Sequence, residues 1–370
     1  PRLPARLWRD PPWAETIRRQ QFNNLTIYQF INMSYIFPLM FAFLLTLIIT
    51  PVIKKLALSF NIVDAPTLPR KIHKRPTPLL GGLAIYLAVA LLIIIYWIFG
   101  FITDAKISEN HIVAILIGGL ILAVGGFLDD KYNLKPKQQI WFPVLAAIIV
   151  IISGIKITFI TNPLGGVLNI PVSAGLILSF FWILGLTYTT KFLDGLDGLT
   201  SGVSSIGFII IFIVSLSWDI SSSGTSILAL IMAGACLGFL IFNWHPAKIF
   251  LGEGGSTFLG FMLAVLSIIS GSKIATALLI MGIPILDVFF VIIQRLKSHS
   301  SIAAGDQKHL HFRLLQKGFS HRQTVIFLYA ATAFFGIFSL LLKTRGKIIV
   351  LIILIIFVIS LLKFLTSKSN

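Results

Sequence analysis

The chain has 370 residues, of which 56% are hydrophobic and only 12% charged, with a mean hydropathy of +0.94. A water-soluble domain carries about 25% charged residues, so this composition excludes an ordinary soluble fold. The formal charge of +17 reads as the loop charge of a membrane protein, which sets orientation and draws anionic lipid and phosphorylated substrates; no nucleic-acid partner is expected.

Residues 1–33 are basic, contain prolines and lack an apolar core, which predicts an external extension rather than a signal peptide. Eleven apolar spans follow, over 34–59, 80–99, 112–128, 140–157, 173–191, 202–219, 225–243, 256–270, 274–293, 323–341 and 347–364. Runs of about 20 apolar residues cross a bilayer as helices, whose backbone groups are satisfied internally. The expected fold class is therefore an all-α polytopic integral membrane protein of about 11 transmembrane helices. Residues 34–364 form one multi-span domain, and 365–370 a cytoplasmic tail. Gly271, Ser272 and Lys273 make a tight hairpin between two spans, and 158–172 has strand-and-turn chemistry. The single Cys236 lies in an apolar run, so no intrachain disulfide forms and it reads as a packing residue.

Placing the 60–79 loop in the cytoplasm puts 19 Lys and Arg on that side. Outside the amino-terminal extension, only 6 fall on the other. The positive-inside rule then sets the amino terminus outside and the carboxyl terminus in the cytoplasm. Five arginines in the extension (Arg2, Arg6, Arg9, Arg18 and Arg19) oppose the rule. The cytoplasmic loops are 60–79, 129–139, 192–201, 244–255 and 294–322, and they hold most of the acids. Carboxylates inside or beside membrane spans are costly and usually functional.

The 60–79 loop combines Asp64, Arg70, Lys71, His73, Lys74 and Arg75 with prolines, and Gly81-Gly82 follows. Such a loop suits a diphosphate held by cations, with glycine letting backbone approach closely; a loop resting on anionic lipid fits as well. Gly125-Gly126 precede the adjacent carboxylates Asp129 and Asp130. An acidic pair at a helix C-terminus opposes the macrodipole, so it does not serve the helix. It suits Mg²⁺, or one base beside one ligand.

Lys191 precedes a doubled Asp-Gly motif, Asp194-Gly195-Leu196-Asp197-Gly198. Two aspartates at i and i+3 share one side of a helical turn and suit Mg²⁺ or the donor groups of a nucleobase. Asn243 opens the next segment, which runs through Phe250 to Gly252-Glu253-Gly254-Gly255-Ser256. Phe250 suits base stacking, and the N-terminus of the new span offers free N–H groups to phosphate. Glu253 also fits as a first-turn acid that balances the dipole. The 294–322 loop carries Asp306, His309, His311 and Arg313, a set suited to metal or phosphate. The two histidines share a face in a strand but not in a helix. Zinc is the weaker choice because cysteine ligands are missing, and His299 and His321 read as loop residues.

Together these five segments resemble the polyprenyl-phosphate N-acetylhexosamine-1-phosphate transferase family (glycosyltransferase family 4). The likeness covers about residues 34–341. Arg70-Lys71-Ile72-His73 with Gly81-Gly82, and His309-Leu310-His311, look like the GlcNAc-1-phosphate branch rather than translocase I of peptidoglycan synthesis. The resemblance implies an undecaprenyl-phosphate acceptor, a UDP-N-acetylhexosamine donor, Mg²⁺ (with Mn²⁺ as a substitute), UMP release and a bacterial inner-membrane enzyme, and it admits a homodimer. It implies Glu253 as a metal ligand, and Asp194 or Asp197 as metal or uridine contacts. Asp129 or Asp130 would take the proton from, or orient, the lipid phosphate, with Asp130 also a metal ligand. Arg70, Lys71, His309 and His311 would hold diphosphate or sugar oxygens. His73, Lys74, Lys191, Asn243, Phe250, Asp306 and Arg313 complete the expected substrate-binding set.

Three positions depart from the family pattern: Lys191 replaces an Asn, Glu253 an Asp, and Gln139 a Lys. The rival from another class is a lipid or sugar transporter. It predicts acids near mid-membrane and discontinuous helices in repeated halves. Here the acids gather toward one surface and no half repeats the other.

Overall fold

Backbone in lipid must pair with itself, so apolar runs of this length resolve into helices. The computed structural model describes residues 33–66, 75–162, 166–218, 223–271, 274–299 and 308–366. Its helices in chain order are α1 Met33–Ser59, α2 Gly81–Ile98, α3 Glu109–Tyr132, α4 Pro136–Gln139, α5 Trp141–Ile152, α6 Val172–Leu193 and α7 Leu199–Trp218. They continue with α8 Gly224–Asn243, α9 Gly252–Ile269, α10 Ile274–Ile280, α11 Gly282–Lys297, α12 Leu310–Gln316, α13 His321–Leu341 and α14 Thr344–Thr366.

The all-α polytopic class holds, and the expected spans take three forms. Among the described residues, nine helices are long and apolar enough to cross a membrane, with α10 and α11 a further pair bent by 76°. The expected span 274–293 breaks where Gly282 starts a new helix and Pro284 sits in its first turn. Proline lacks the N–H that a continuing helix needs there, but a first turn does not use it. The expected span 140–157 is the shorter apolar stretch Pro136–Ile152, which ends before Gly154 at φ 109°.

Two small hairpins complete the fold. Strands β1 (Val63–Asp64) and β2 (Thr77–Pro78) pair antiparallel, Asp64 opposite Thr77. Strands β3 (Phe159–Thr161) and β4 (Val167–Asn169) form the hairpin expected of 158–172, Ile160 opposite Leu168.

Helix α9 is the axis of the bundle. Its apolar window is 94% buried, against 28% for α1 and for α14, and α2, α3, α6 and α7 pack around it. Lipid is as apolar as leucine, so membrane helices associate by close packing and favour small residues at crossings. Accordingly, Gly82 of α2 lies against Gly255 of α9, and Gly126 of α3 against Gly254. A Cβ at either would overlap the α9 backbone. Gly81 and Gly82 also donate backbone hydrogen bonds to Phe250 O (3.0 Å) and Leu251 O (2.6 Å). The close approach expected of Gly81-Gly82 is therefore to the protein's own backbone. Cys236 is buried and free, as a packing residue should be. Ile48, Ile349, Ile352 and Ile356 face outward on α1 and α14, as lipid contact requires.

Candidate active site

Five parts of the chain meet at the α9 N-terminus. Helix α3 ends there, capped by Asn133, whose N–H donates to Asp129 O at 2.7 Å from a left-handed conformation. That turn folds the following loop back onto Asp129. Its Oδ1 accepts from Leu134 N (2.8 Å) and from Gln139 Nε2 (2.8 Å). Asp130 points the other way, and its Oδ1 accepts the Glu253 N–H at 3.2 Å. A helix N-terminus leaves its first N–H groups unpaired, and a carboxylate there both caps it and matches its dipole. The second oxygen of Asp130 lies over Gly252. Gly252 has φ 75° and no room for a Cβ, so only glycine meets both demands.

Lys191, in the last turn of α6, forms an ion pair with Glu253 Oε1 and donates to Gln139 Oε1 at 2.8 Å. Gln139 thus joins Lys191 to Asp129. The next residue outside α6 is Asp194, its C-cap. Burial first, then the Glu253 and Asp197 charges, push its carboxyl up to about 7. Asp194 also interacts electrostatically with Asp130. Asp129, Asp130, Asp194 and Glu253 therefore share one site.

The 308–316 segment packs on the end of α6 and on Gly195. His311 is buried, with its Nε2 directly above Gly195, where any side chain would collide. Burial, then His309 and His321, pull its imidazole down to about 3, so it is neutral at ordinary pH. Among the described residues, its Nε2 has no hydrogen-bond partner. His309 is the N-cap of α12, its ring 5.7 Å from Phe192 and 5.8 Å from His311. The two histidines thus stack although one lies in a helix, because His309 precedes the first helical residue. Arg313 is buried and spent internally, donating to Lys308 O (2.6 Å) and Gln294 Oε1 (2.9 Å).

Asp197 is drawn into a neighbouring cluster. Its Oδ2 contacts His245 Nδ1 at 2.6 Å and accepts from Ala247 N at 3.1 Å. His245 in turn stacks on His321 at 3.9 Å between ring centroids. The three side chains lie close enough to share a metal ion, but stacked imidazoles aim their in-plane lone pairs side by side rather than at one point. The cluster is better read as a brace between the Asp-Gly turn and α13. His321 opens α13, which corrects its reading as a loop residue.

Asn243 is likewise a strut. It accepts from Gly198 N (3.0 Å) and Ser201 Oγ (3.2 Å), and donates to Ile249 O (3.0 Å). Buried, it ties the Asp-Gly turn to the segment that leads into α9. Phe250 is half-buried, with its N–H donated to Pro78 O at 2.8 Å. Arg70, Lys71, His73, Lys74 and Asp306 lie outside the described residues.

Asp287 carries a role that sequence reasoning passed over. It is buried in α11, with one oxygen 2.8 Å from His309 Nδ1 and the other accepting Leu310 N at 2.7 Å. The available signal was an acid inside an apolar span.

Hard carboxylate oxygens with no cysteine among them fit Mg²⁺ or Mn²⁺ rather than zinc. Among the described residues, Lys191 pairs with one of these four carboxylates, Glu253, and a site of this composition suits a divalent cation.

A family model described as glycosyl transferase family 4 matches residues 112–271. That stretch holds all four carboxylates and Lys191. The chain is 36% identical to the probable undecaprenyl-phosphate N-acetylglucosaminyl 1-phosphate transferase of Bacillus subtilis, over 85% of this chain and 87% of that protein. It is 31% identical to the decaprenyl-phosphate N-acetylglucosaminephosphotransferase of Mycobacterium leprae, over 73% of this chain and 74% of that one. It is 25% identical to the undecaprenyl-phosphate alpha-N-acetylglucosaminyl 1-phosphate transferase of Escherichia coli K12, over 86% of each chain.

Proposed function

We infer the reaction from one premise: the chain belongs to glycosyl transferase family 4. It transfers N-acetylglucosamine 1-phosphate to a polyprenyl phosphate, as the names of its relatives describe for them. The donor in this reading is UDP-N-acetylglucosamine. An oxygen of the lipid phosphate attacks the sugar-bearing phosphorus, the bond to the bridging oxygen breaks, and UMP leaves with that oxygen. The observation that carries the reading is the meeting of Asp129, Asp130, Asp194 and Glu253 at one end of an apolar bundle. A water-soluble donor and a membrane-bound acceptor need such a place, where polar chemistry borders lipid.

Glu253, Asp130 and Asp194 are the residues that would hold Mg²⁺. When bound, the ion neutralises the donor diphosphate and the charge that develops on UMP. Asp129, fixed by Gln139 and Leu134, orients the lipid phosphate. His311 stays neutral and, as the Nε2–H tautomer, offers a hydrogen bond toward the Asp194–Gly195 turn without adding charge. The loop charge asymmetry supports a cytoplasmic site in the inner membrane, with the amino terminus outside.

The test is UMP formation by the detergent-solubilised protein from UDP-N-acetylglucosamine and undecaprenyl phosphate. Product is expected with Mg²⁺ and not with EDTA. UDP-N-acetylgalactosamine and UDP-MurNAc-pentapeptide in parallel identify the donor. No UMP from any donor overturns the reading.

A further inference from the structure

Among the described residues, the cation that meets this carboxylate cluster comes from the chain itself. Lys191 Nζ takes one oxygen of Glu253 and is steadied by Gln139, whose amide nitrogen is bonded to Asp129 Oδ1 at 2.8 Å and to Leu134 O at 2.9 Å. Three consequences follow from that geometry. One Glu253 oxygen is engaged, which leaves the other for a metal ion. Asp129 is tied to a neutral amide. The ammonium cancels one of the negative charges that would attract a divalent ion.

We propose that Lys191, clamped by Gln139, is a selectivity-determining residue that holds Glu253 to one-oxygen binding and so favours Mg²⁺ over Ca²⁺. This rests on the divalent-ion reading above. Calcium takes six to eight oxygens and gains from a carboxylate that offers both, whereas magnesium takes six at short range and needs no bidentate ligand. Removing the ammonium releases the second Glu253 oxygen and one unit of opposing charge. Both changes raise divalent affinity, and the first favours the larger ion.

The experiment titrates the full-length protein in detergent with Mn²⁺, read by the electron paramagnetic resonance of free ion, and then competes the ion off with Mg²⁺ or Ca²⁺. In Lys191→Met, Mn²⁺ affinity should rise about tenfold, the scale on which one neighbouring charge shifts a carboxylate equilibrium. Calcium competition should strengthen more than magnesium competition. Gln139→Met keeps the cation but frees it, and should relax the Mg²⁺/Ca²⁺ preference in the same direction by less.

Unchanged or weaker Mn²⁺ affinity in Lys191→Met overturns the proposal, as does an unaltered Mg²⁺/Ca²⁺ preference in Gln139→Met. If wild type binds no Mn²⁺, the divalent-ion reading itself fails and the proposal with it. That outcome is told apart from the others because it precedes any variant.

Discussion

Lys191 donates to Gln139 across 52 residues of chain, and with the Glu253 ion pair this joins all three positions where the sequence departs from the family pattern. Read singly, they are a lysine for an asparagine, a glutamine for a lysine and a glutamate for an aspartate. In the fold they are one connected set. A cation offered from α6 meets a carboxylate one methylene longer, and the loop residue that would have repelled it is neutral.

Asp130→Asn separates charge from capping. Asparagine still offers an oxygen to the Glu253 N–H, so α9 keeps its cap and the unfolding temperature should move little. The negative charge is lost, and UMP release should fall by roughly 10² to 10⁴, the range typical of a lost acid–base or electrostatic group. Near-normal turnover in that variant would remove Asp130 from the chemistry.

The glycines at the helix crossings should tolerate nothing larger. Gly82→Ala and Gly126→Ala each drive a methyl group into the α9 backbone, where no flexible side chain can yield. Overpacking of this kind costs about 1–3 kcal/mol and often more. Gly185→Ala is the control: that position has open space, and alanine favours helix by roughly 0.5–1 kcal/mol. Size-exclusion profiles and thermal unfolding in detergent should lower the first two and leave the third unchanged or raised.

His311 predicts how stability follows pH. Its folded value lies near 3 and its unfolded value near 6.5, because burial and the neighbouring histidines oppose the proton. Between those values the unfolded chain binds more protons, so stability rises with pH. The contribution is complete above about 6.5 and is lost progressively as pH falls below it. Thermal unfolding between pH 7.5 and 5.5 should show this slope, and His311→Gln should flatten it. An equal slope in the variant would assign the effect elsewhere.

The spans were legible because an apolar run announces itself whatever surrounds it. The bend at Gly282 left one mark in 274–293, Pro284, and proline sits in a kinked helix as readily as at a break; the fold decides between them, with Leu354 of α14 packed on that glycine. Asp129, Asp130, Asp194 and Glu253 stood out because charge is scarce in such a chain, and scarcity is itself a signal. The partition between them was hidden. Asp194 and Asp197 are three residues apart and of one motif, yet one feels the charge of Glu253 and the other bonds to His245, which stacks on His321. Only the distant histidines decide that. His321 looked like loop because its partner is far away in the sequence. The bonds of Asn243 to Gly198, Ser201 and Ile249 were hidden because all three reach beyond its own helix.

Asp287 should act through His309 rather than on the substrate. One of its oxygens faces His309 Nδ1 and the other holds the Leu310 N–H, so it fixes both the ring and the first turn of α12. A carboxylate beside Nδ1 keeps the proton on that nitrogen and turns Nε2 into the acceptor. Asp287→Asn preserves the shape but weakens that preference, since the amide can present a donor to the ring instead. UMP release should drop about tenfold to a hundredfold, as is common when the partner of a functional histidine is changed, with the unfolding temperature nearly unaltered. Asp287→Ala leaves a buried ring nitrogen and a buried N–H unpaired, at about 1–3 kcal/mol for each, so it should lower stability as well as rate. Asp287→Asn with full turnover would show that the tautomer of His309 does not matter. Loss of stability without loss of rate in Asp287→Ala would reduce the pair to a structural brace.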